Sequence, residues 1–211
     1  KRFLKQRTEM LAGVSHDLRT PLTRMKLQIS LMKDEKAKSE LEVDVNEMTS
    51  MLDSYVSFVK TESPEPIETI IINELIGDIV KTVEKNGAEL TIKEKNTIQT
   101  SGRQIQLKRA FNNIIDNSQR YAKKIEIILY TNEKDCVIEF NDDGEGIPRD
   151  KYEDVFKPFF TLDPSRNKLK GESGLGLTIT RDIIRSHGGD VKLSDSNLGG
   201  LQLKVLLPLW F

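Results

Sequence analysis

The run Ala12-Gly13-Val14-Ser15-His16-Asp17-Leu18-Arg19-Thr20-Pro21-Leu22 lies within a stretch whose apolar residues recur at alternating steps of three and four. Those apolar residues are Leu4, Leu11, Val14, Leu18, Leu22, Met25, Ile29 and Met32. This spacing predicts an amphipathic helix with the stripe typical of helix bundles. His16, one of only two histidines in the chain, is followed directly by an acidic residue. A neutral imidazole is a competent nucleophile near neutral pH.

A second helix is predicted after a charged break over residues 33–38. Ser39 and Glu42 have the spacing of a capping box that opens a helix. Its apolar stripe consists of Leu41, Val45, Met48, Leu52, Tyr55 and Val59. Two helices joined by a short polar link form an antiparallel hairpin. One hairpin cannot cover its own stripe, so the sequence predicts a homodimer built on a four-helix bundle.

The segment Ser63-Pro64-Glu65-Pro66 ends the helical region, because two prolines in three residues cannot continue a helix. We expect a first domain over residues 1–62, a linker over 63–66 and a second domain over 67–211. In the second domain, strands are predicted over 67–72, 89–93, 97–100, 125–131, 136–141, 190–194 and 201–207, and helices over 73–85, 104–121 and 175–186. This order favours an α/β sandwich with a mixed sheet, and the whole chain an α+β two-domain fold.

Composition excludes several classes of protein. A net charge of −1 argues against nucleic acid as a main partner. Cys136, the single cysteine, lies in a strand-like apolar run and is expected to be a buried thiol. No stretch reaches the roughly 18 apolar residues that span a bilayer, and no signal peptide is present. We expect any membrane attachment to come from segments outside this sequence.

The first polar cluster of the second domain is Asn113-Ile114-Ile115-Asp116-Asn117, followed by Arg120-Tyr121. Asn113 and Asn117 lie one turn apart on the same face of a predicted helix. Carboxamide oxygens at that spacing suit Mg²⁺ or its waters, since magnesium prefers hard oxygen donors. Arg120 suits a phosphate and Tyr121 suits stacking on a base. Taken alone, the cluster also fits an ordinary polar helix face.

Two glycine-rich clusters follow. Asp142-Asp143-Gly144-Glu145-Gly146-Ile147-Pro148 comes directly after an apolar strand, where glycines let a planar ligand approach the backbone. Gly171-Glu172-Ser173-Gly174-Leu175-Gly176-Leu177 opens a helix, a pattern that suits phosphate binding by free backbone amides. Each cluster alone is weak evidence. Their order, with Phe156-Lys157-Pro158-Phe159-Phe160 between the last two, points to one site.

In this order the clusters resemble the N, G1, F and G2 boxes of the ATP-binding domain of histidine kinases, a fold of the GHKL (Bergerat) type. The run around His16 resembles the H-box of the dimerisation and phosphoacceptor domain, and its amino-acid sequence is most similar to that of the EnvZ osmosensor group. The resemblance covers essentially the whole chain. It implies autophosphorylation of His16 with ATP and Mg²⁺, followed by phosphoryl transfer to an aspartate of an OmpR-like response regulator. It also implies phosphatase activity toward that regulator, and a place beneath a bacterial inner membrane.

The resemblance also implies residue roles. ATP and Mg²⁺ are expected against Asn117, the proposed metal ligand, with Asn113 in support. Asp143 is expected to read the adenine amine, and Tyr121 to flank the base. Residues 161–173 would form a mobile lid. The remaining nucleotide-binding residues implied are Arg120, Gly144, Gly146, Ile147, Gly174, Leu175 and Gly176.

At the H-box, the resemblance assigns Asp17 as general base in the kinase reaction and Thr20 to placing a water during dephosphorylation. The chain departs from the family at Glu172, where a glycine is common. Two other functions stay open. An ATPase of the same superfamily would carry a glutamate where this chain has Asn113, which is a poor base and favours transfer. A nucleotide-bound scaffold or phosphatase dimer without kinase output is the other alternative.

Overall fold

The structure is a computed structural model that describes residues 18–59, 65–83, 89–162 and 174–209. The described residues form two compact units, each treated by itself below. The first contains residues 18–59, 158–162 and 174–175, and the second contains residues 65–83, 89–157 and 176–209. The predictions made for His16, Asp17 and Glu172 lie outside the described residues. No helix within the described ranges has the length and apolar character needed to cross a membrane.

The helical part of the first unit consists of α1, over residues 18–30, and α2, Glu35–Val59. A small hydrophobic cluster joins the two helices and consists of Leu22, Ile29 and Val45, with Met32 and Leu52 packed against it. All five residues belong to the apolar stripes that the sequence predicts. The stripes therefore do face each other within the hairpin, as the helical periodicity requires.

Helix α2 begins earlier than the sequence predicts. The Asp34 carboxylate Oδ1 accepts the backbone N–H groups of Lys36 at 3.1 Å and Ala37 at 3.2 Å. This is the arrangement of a helix N-cap. The capping box predicted at Ser39 and Glu42 is therefore wrong, because both lie within a helix that Asp34 already caps. The charged run over residues 33–38, which the sequence predicts to be a break between helices, instead contains the first turn of α2, since Glu, Lys and Ala are good helix formers.

The second unit is an α/β sandwich built on a mixed five-stranded sheet, as predicted. Its elements are β1 Glu68–Ile71, α3 Ile72–Val83, β2 Glu89–Glu94, β3 Gln99–Gly102, α4 Gln104–Tyr121, β4 Lys124–Thr131, β5 Asp135–Asp142, α5 Gly176–Ser186, β6 Asp190–Asp195 and β7 Leu201–Pro208. The strand order is β2-β4-β5-β7-β6, with β2 and β4 parallel and every other pair antiparallel. Strands β1 and β3 form a separate antiparallel pair that the sequence did not predict.

Helix α4 packs on the central strand β5 and thereby sets which residues face the core. Its buried residues are Leu107, Ala110, Phe111, Ile114, Ile115 and Ser118. The rings of Phe111 and Phe140 of β5 lie 6.1 Å apart between centroids. Because helix residues three and four apart share a face, this packing leaves Asn113 and Asn117 on the neighbouring face of α4.

The first turn of α4 is capped by a residue of the predicted linker. Arg103, at the N-cap position, makes no side-chain cap hydrogen bond of its own. Instead, the carboxylate of Glu65 accepts the backbone N–H groups of Ile105 at 2.5 Å and Gln106 at 3.3 Å. A carboxylate at a helix N-terminus is also favoured by the helix dipole. Glu65 is therefore part of the folded second unit.

His187 links the end of α5 to the start of α4. Its Nε2 accepts the backbone N–H of Arg103 at 2.9 Å, so this nitrogen carries no proton. Its Nδ1 lies 2.7 Å from the Ile183 carbonyl oxygen, to which it donates as the protonated nitrogen of a neutral ring. Burial lowers the pKa of His187, which also favours the neutral form. The ring therefore has a structural role.

Candidate functional site

One face of α4 carries the first predicted cluster. Asn113, Asn117 and Tyr121 follow one another at one-turn intervals, and Arg120 lies beside them in the last turn. Both asparagines are half-buried, whereas Arg120 and Tyr121 are exposed at the end of the helix. The carboxamides thus lie deeper in the domain than the cationic and aromatic side chains. This gradient suits a ligand with a polar group inside and a planar ring near the rim.

Two neighbouring aspartates end strand β5, and they lie on different sides of the sheet. Asp142 pairs with Ile125 of β4 and lies two residues after Phe140, which packs on Phe111 of α4. Because alternate residues of a strand share a face, the Asp142 side chain lies on the α4 side of the sheet. It is only 5% exposed. Asp143 follows it and, by the same alternation, turns away from α4.

Asp142 fixes the conformation of the loop that follows it. Its Oδ1 accepts the backbone N–H of Gly144 at 3.0 Å and that of Leu201, the first residue of β7, at 2.9 Å. Its main-chain carbonyl oxygen accepts the N–H of Gly200 at 3.1 Å. One buried carboxylate therefore ties the loop after β5 to the turn before β7.

The Asp143 carboxylate is used differently. Its Oδ1 accepts the N–H groups of Lys123 at 2.8 Å and Lys124 at 2.9 Å, where α4 leads into β4. The hydrogen bond from Lys124 is the main reason that the pKa of Asp143 is lowered. Asp142, the residue before the predicted Asp143, therefore occupies the strand position that faces the asparagine helix. The sequence held the signal, since Asp142 is in phase with the buried residues Ile138 and Phe140.

Glycines bring backbone from three segments close together at this point. A Cβ on Gly144 would lie 3.0 Å from the carbonyl oxygen of Tyr121, and Gly146 has a φ of +70°. A Cβ on Gly200 would lie 2.3 Å from Asp142 Oδ1 and 2.4 Å from the nitrogen of Gly144. Sequence reasoning missed Gly200, although the Gly199-Gly200 pair before the last strand is a visible turn signal. Ile147, the next residue predicted to bind the nucleotide, follows Gly146 and is half-buried.

The third predicted cluster is divided between the two units. Gly176 begins α5, and its carbonyl oxygen accepts a hydrogen bond from Asn113 Nδ2 at 3.3 Å. Gly174 and the buried Leu175 belong to the first unit. Gly174 has a φ of +62°, and a Cβ there would lie 2.9 Å from the Cα of Phe159. The structure therefore brings Gly176 to Asn113, whereas Gly174 lies against Phe159.

The aromatic cluster between the glycine runs is fixed to α5. The Phe156 carbonyl oxygen accepts the Thr178 hydroxyl at 2.9 Å. The guanidinium of Arg181 lies 4.4 Å from the centroid of the Phe156 ring and forms an ion pair with Glu153 at 2.7 Å. The hydrogen bond from Arg181 lowers the pKa of Glu153. The chain before the last glycine run is thus held against the helix that follows that run.

The donor set fits a magnesium nucleotide. Within the described ranges, no group of three or more His, Cys, Asp or Glu side chains is placed to hold a metal ion. Magnesium is commonly held by one or two protein oxygens together with substrate phosphates, so Asn117 with a triphosphate is a sufficient set. The Asp142 carboxylate is an acceptor, which is the group that an exocyclic amine of a base requires.

Comparison with known proteins agrees with this geometry. Residues 102–210 match the family described as histidine kinase-, DNA gyrase B- and HSP90-like ATPase, and residues 6–63 match the His Kinase A phospho-acceptor domain. The chain belongs to the sensor histidine kinases. It carries the ATP-binding domain of that family together with its phospho-acceptor domain.

Several relatives of this histidine kinase core are known. Sensor histidine kinase GtrS of Pseudomonas aeruginosa is 32% identical over 209 residues, which are 98% of this chain and 43% of that protein. CpxA of Escherichia coli K12 is 31% identical over an alignment of 222 residues, gaps included. This alignment covers 100% of this chain and 49% of CpxA. The chain therefore spans about half the length of these curated relatives. The solved mycobacterial sensor histidine kinase MprB matches with a TM-score of 0.61 at 25% identity, over 68% of this chain and 98% of that structure.

Proposed function

We propose that the chain phosphorylates His16 with ATP and Mg²⁺ and passes the phosphoryl group to an aspartate of a response regulator. The proposal assigns residues 1–62 to the phosphoacceptor domain and residues 67–211 to the catalytic domain. It rests mainly on one observation: within the second unit, Asn113 and Asn117 lie on one face of α4, and the buried Asp142 side chain lies on the α4 side of the sheet. These groups supply acceptors for a cation and a purine amine within one domain.

For adenine recognition, we propose Asp142 in place of Asp143. The support is that the Asp142 side chain lies on the α4 side of the sheet, where Asn113 and Asn117 lie. Exchange of adenine for hypoxanthine replaces the amine by a carbonyl, which a carboxylate repels. Asp142→Asn, which can donate through its amide, should therefore reduce the preference for ATP over inosine triphosphate.

In the phosphoryl transfer itself, the protein supplies positioning and charge neutralisation. Magnesium, when bound, neutralises charge on the triphosphate, and Asn117 would hold it. Arg120, Tyr121, Gly146, Ile147, Gly174, Leu175 and Gly176 complete the proposed nucleotide-binding set. The His16 imidazole attacks the terminal phosphorus atom, its ring proton passes to Asp17, and ADP leaves. Thr20, exposed on α1 and four residues after His16 in the sequence, is assigned to placing water when the regulator is dephosphorylated.

We further propose a homodimer. Within the described hairpin, apolar side chains remain exposed on both helices, including Leu18, Met25, Leu31, Leu41 and Met48. The cluster at Leu22, Ile29 and Val45 is small, so one hairpin buries only part of its apolar surface. A second copy offers a complementary stripe, because a twofold bundle places like faces together. Light scattering tests this, and a monomer at micromolar concentration would contradict it.

Two finer parts of the proposal concern partners. The proposed partner is an OmpR-like receiver domain, and the proposed additional activity is phosphatase activity toward it. The support for both is the sequence around His16, which resembles the H-box. They are tested by incubating the purified chain with such a receiver in its phosphorylated and unphosphorylated forms. Placement beneath a bacterial inner membrane is tested by fractionating cells that make the full-length protein.

The deciding experiment is incubation with γ-labelled ATP and Mg²⁺ beside His16→Gln as a matched control. We expect label on the wild type that is lost in acid, as for a phosphoramidate, and none on the variant. Asn117→Ala should abolish labelling by removing the proposed metal ligand. Phosphate release without labelled protein would replace the kinase by an ATPase. Binding of ATP with neither label nor release would leave a scaffold or phosphatase dimer.

A further inference from the structure

The first turn of α5 is fastened to α4 through a single carbonyl oxygen, that of Gly176. It accepts a hydrogen bond from Asn113 Nδ2 of α4 at 3.3 Å and one from Thr180 Oγ1 of its own helix at 2.9 Å. Thr180 is fully buried, and its hydroxyl also lies 3.4 Å from the carbonyl oxygen of Ala110 in α4. The hydrogen bond from Asn113 to Gly176 therefore joins the asparagine helix to the helix that follows the glycine run, and the Thr180 contact with Ala110 lies beside it.

This arrangement fixes the orientation of the Asn113 amide. A carbonyl oxygen only accepts hydrogen bonds, so the amide must present its NH₂ group to Gly176. Its Oδ1 is then the atom left for a ligand. We infer that Asn113 is a positioning residue: its amide NH₂ holds the first turn of α5 against α4 before nucleotide binds. We call this hydrogen bond between Asn113 and Gly176 the latch. Its consequence for nucleotide affinity rests on the function proposed above, whereas the latch itself does not.

A latch and a direct metal ligand predict opposite outcomes for Asn113→Asp. A carboxylate is at least as good a magnesium ligand as a carboxamide, so a purely ligating Asn113 would tolerate this change or gain Mg²⁺ affinity. A carboxylate cannot donate to the Gly176 carbonyl, and its oxygen would be repelled there. The latch therefore predicts that Asn113→Asp is worse than Asn113→Ala, which removes the donor without adding a charge.

The test is amide hydrogen exchange over residues 176–180 of the whole chain without nucleotide or metal, so that repulsion by a triphosphate plays no part. Loss of one ordinary hydrogen bond speeds local opening about fivefold, which we expect for Asn113→Ala. Asn113→Asp should exceed that value. Thr180→Val should act in the same direction, and Thr180→Ser, which keeps the hydroxyl, should restore slow exchange.

Asn117→Ala separates this inference from the proposed function. It should leave exchange over residues 176–180 unchanged and weaken binding of Mg²⁺–ATP, measured by titration calorimetry. If Asn117→Ala binds Mg²⁺–ATP as the wild type does, the metal assignment fails while the latch stands. If Asn113→Asp exchanges as slowly as the wild type without ligand, the latch is overturned whatever Asn117 does.

Discussion

Replacement of Gly200 by alanine should damage the nucleotide site from outside it. The added Cβ would lie 2.3 Å from Asp142 Oδ1, 2.4 Å from the nitrogen of Gly144 and 2.7 Å from the Asp142 carbonyl oxygen. Ordinary contact begins at 3.4 Å, so the closest pair must separate by 1.1 Å (3.4 − 2.3). All three atoms belong to the loop after β5. That loop cannot move without stretching the hydrogen bonds that Asp142 makes to Gly200 and Leu201.

The expected magnitude follows from these contacts. Overpacking costs about 1–3 kcal/mol, and one stretched hydrogen bond adds about 1 kcal/mol. Together, about 2–4 kcal/mol corresponds to a fall in melting temperature on the order of 10 °C for a domain of this size. A displacement of about 1 Å at a binding loop is enough to cost tenfold or more in affinity for Mg²⁺–ATP.

Two other glycines provide matched controls for Gly200→Ala. Gly199 has a φ of +102° but nothing within 4 Å of a Cβ, so Gly199→Ala should cost about 1–3 kcal/mol in strain and leave ATP affinity intact. Gly77 lies within α3 in open space, and Gly77→Ala should stabilise by about 0.5–1 kcal/mol. Thermal melts measure the change in stability of these variants, and calorimetric titrations measure their affinity for Mg²⁺–ATP. Wild-type ATP affinity in folded Gly200→Ala would refute the reasoning.

Three further predictions concern groups outside the site. Glu65→Ala should lower the free energy of unfolding by about 1 kcal/mol through loss of the α4 cap, and Glu65→Gln by less, as measured by urea denaturation. The lowered pKa of His187 means that the unfolded state binds its proton more readily. Its contribution to stability is complete above about pH 6.5 and is lost as the pH falls through the lowered pKa, so melts of His187→Gln should depend less on pH over that window. Burial raises the pKa of Cys136 to about 11, so maleimide should modify this thiol at pH 7.5 only after denaturation.

Local periodicity was sufficient for most elements of the fold. Helix α4 has the bounds predicted from its apolar spacing, and the hairpin of β4 and β5 was visible as two apolar runs around a polar turn. The cap at Asp34 was missed because a dense charged run looks like a break, although its residues favour helix. The periodicity of apolar residues indicates which face of a helix or strand is buried. It therefore predicts an element correctly wherever that element packs on a single core.

The contacts that complete the site join residues distant in the chain, and local pattern does not report them. Gly200 meets Asp142, and Gly176 meets Asn113, only after the sheet and the two helices have assembled. The choice between Asp142 and Asp143 is a different case. The resemblance names Asp143 as the adenine carboxylate, whereas the alternation of β5 decides which of the two neighbouring aspartates faces α4. Reading the strand in phase from Ile138 would have selected Asp142.

The bond between Asn113 and Gly176 also bears on the type of reaction. ATPases that resemble this fold carry a glutamate at the position of Asn113, where it activates water. A carboxylate at this position could take a proton from water, but it could not donate to the Gly176 carbonyl oxygen. The same side chain therefore cannot both act as a base and hold α5 through a donated hydrogen bond. With asparagine in place, this position offers no base to activate water, which favours the proposed transfer to His16 over hydrolysis.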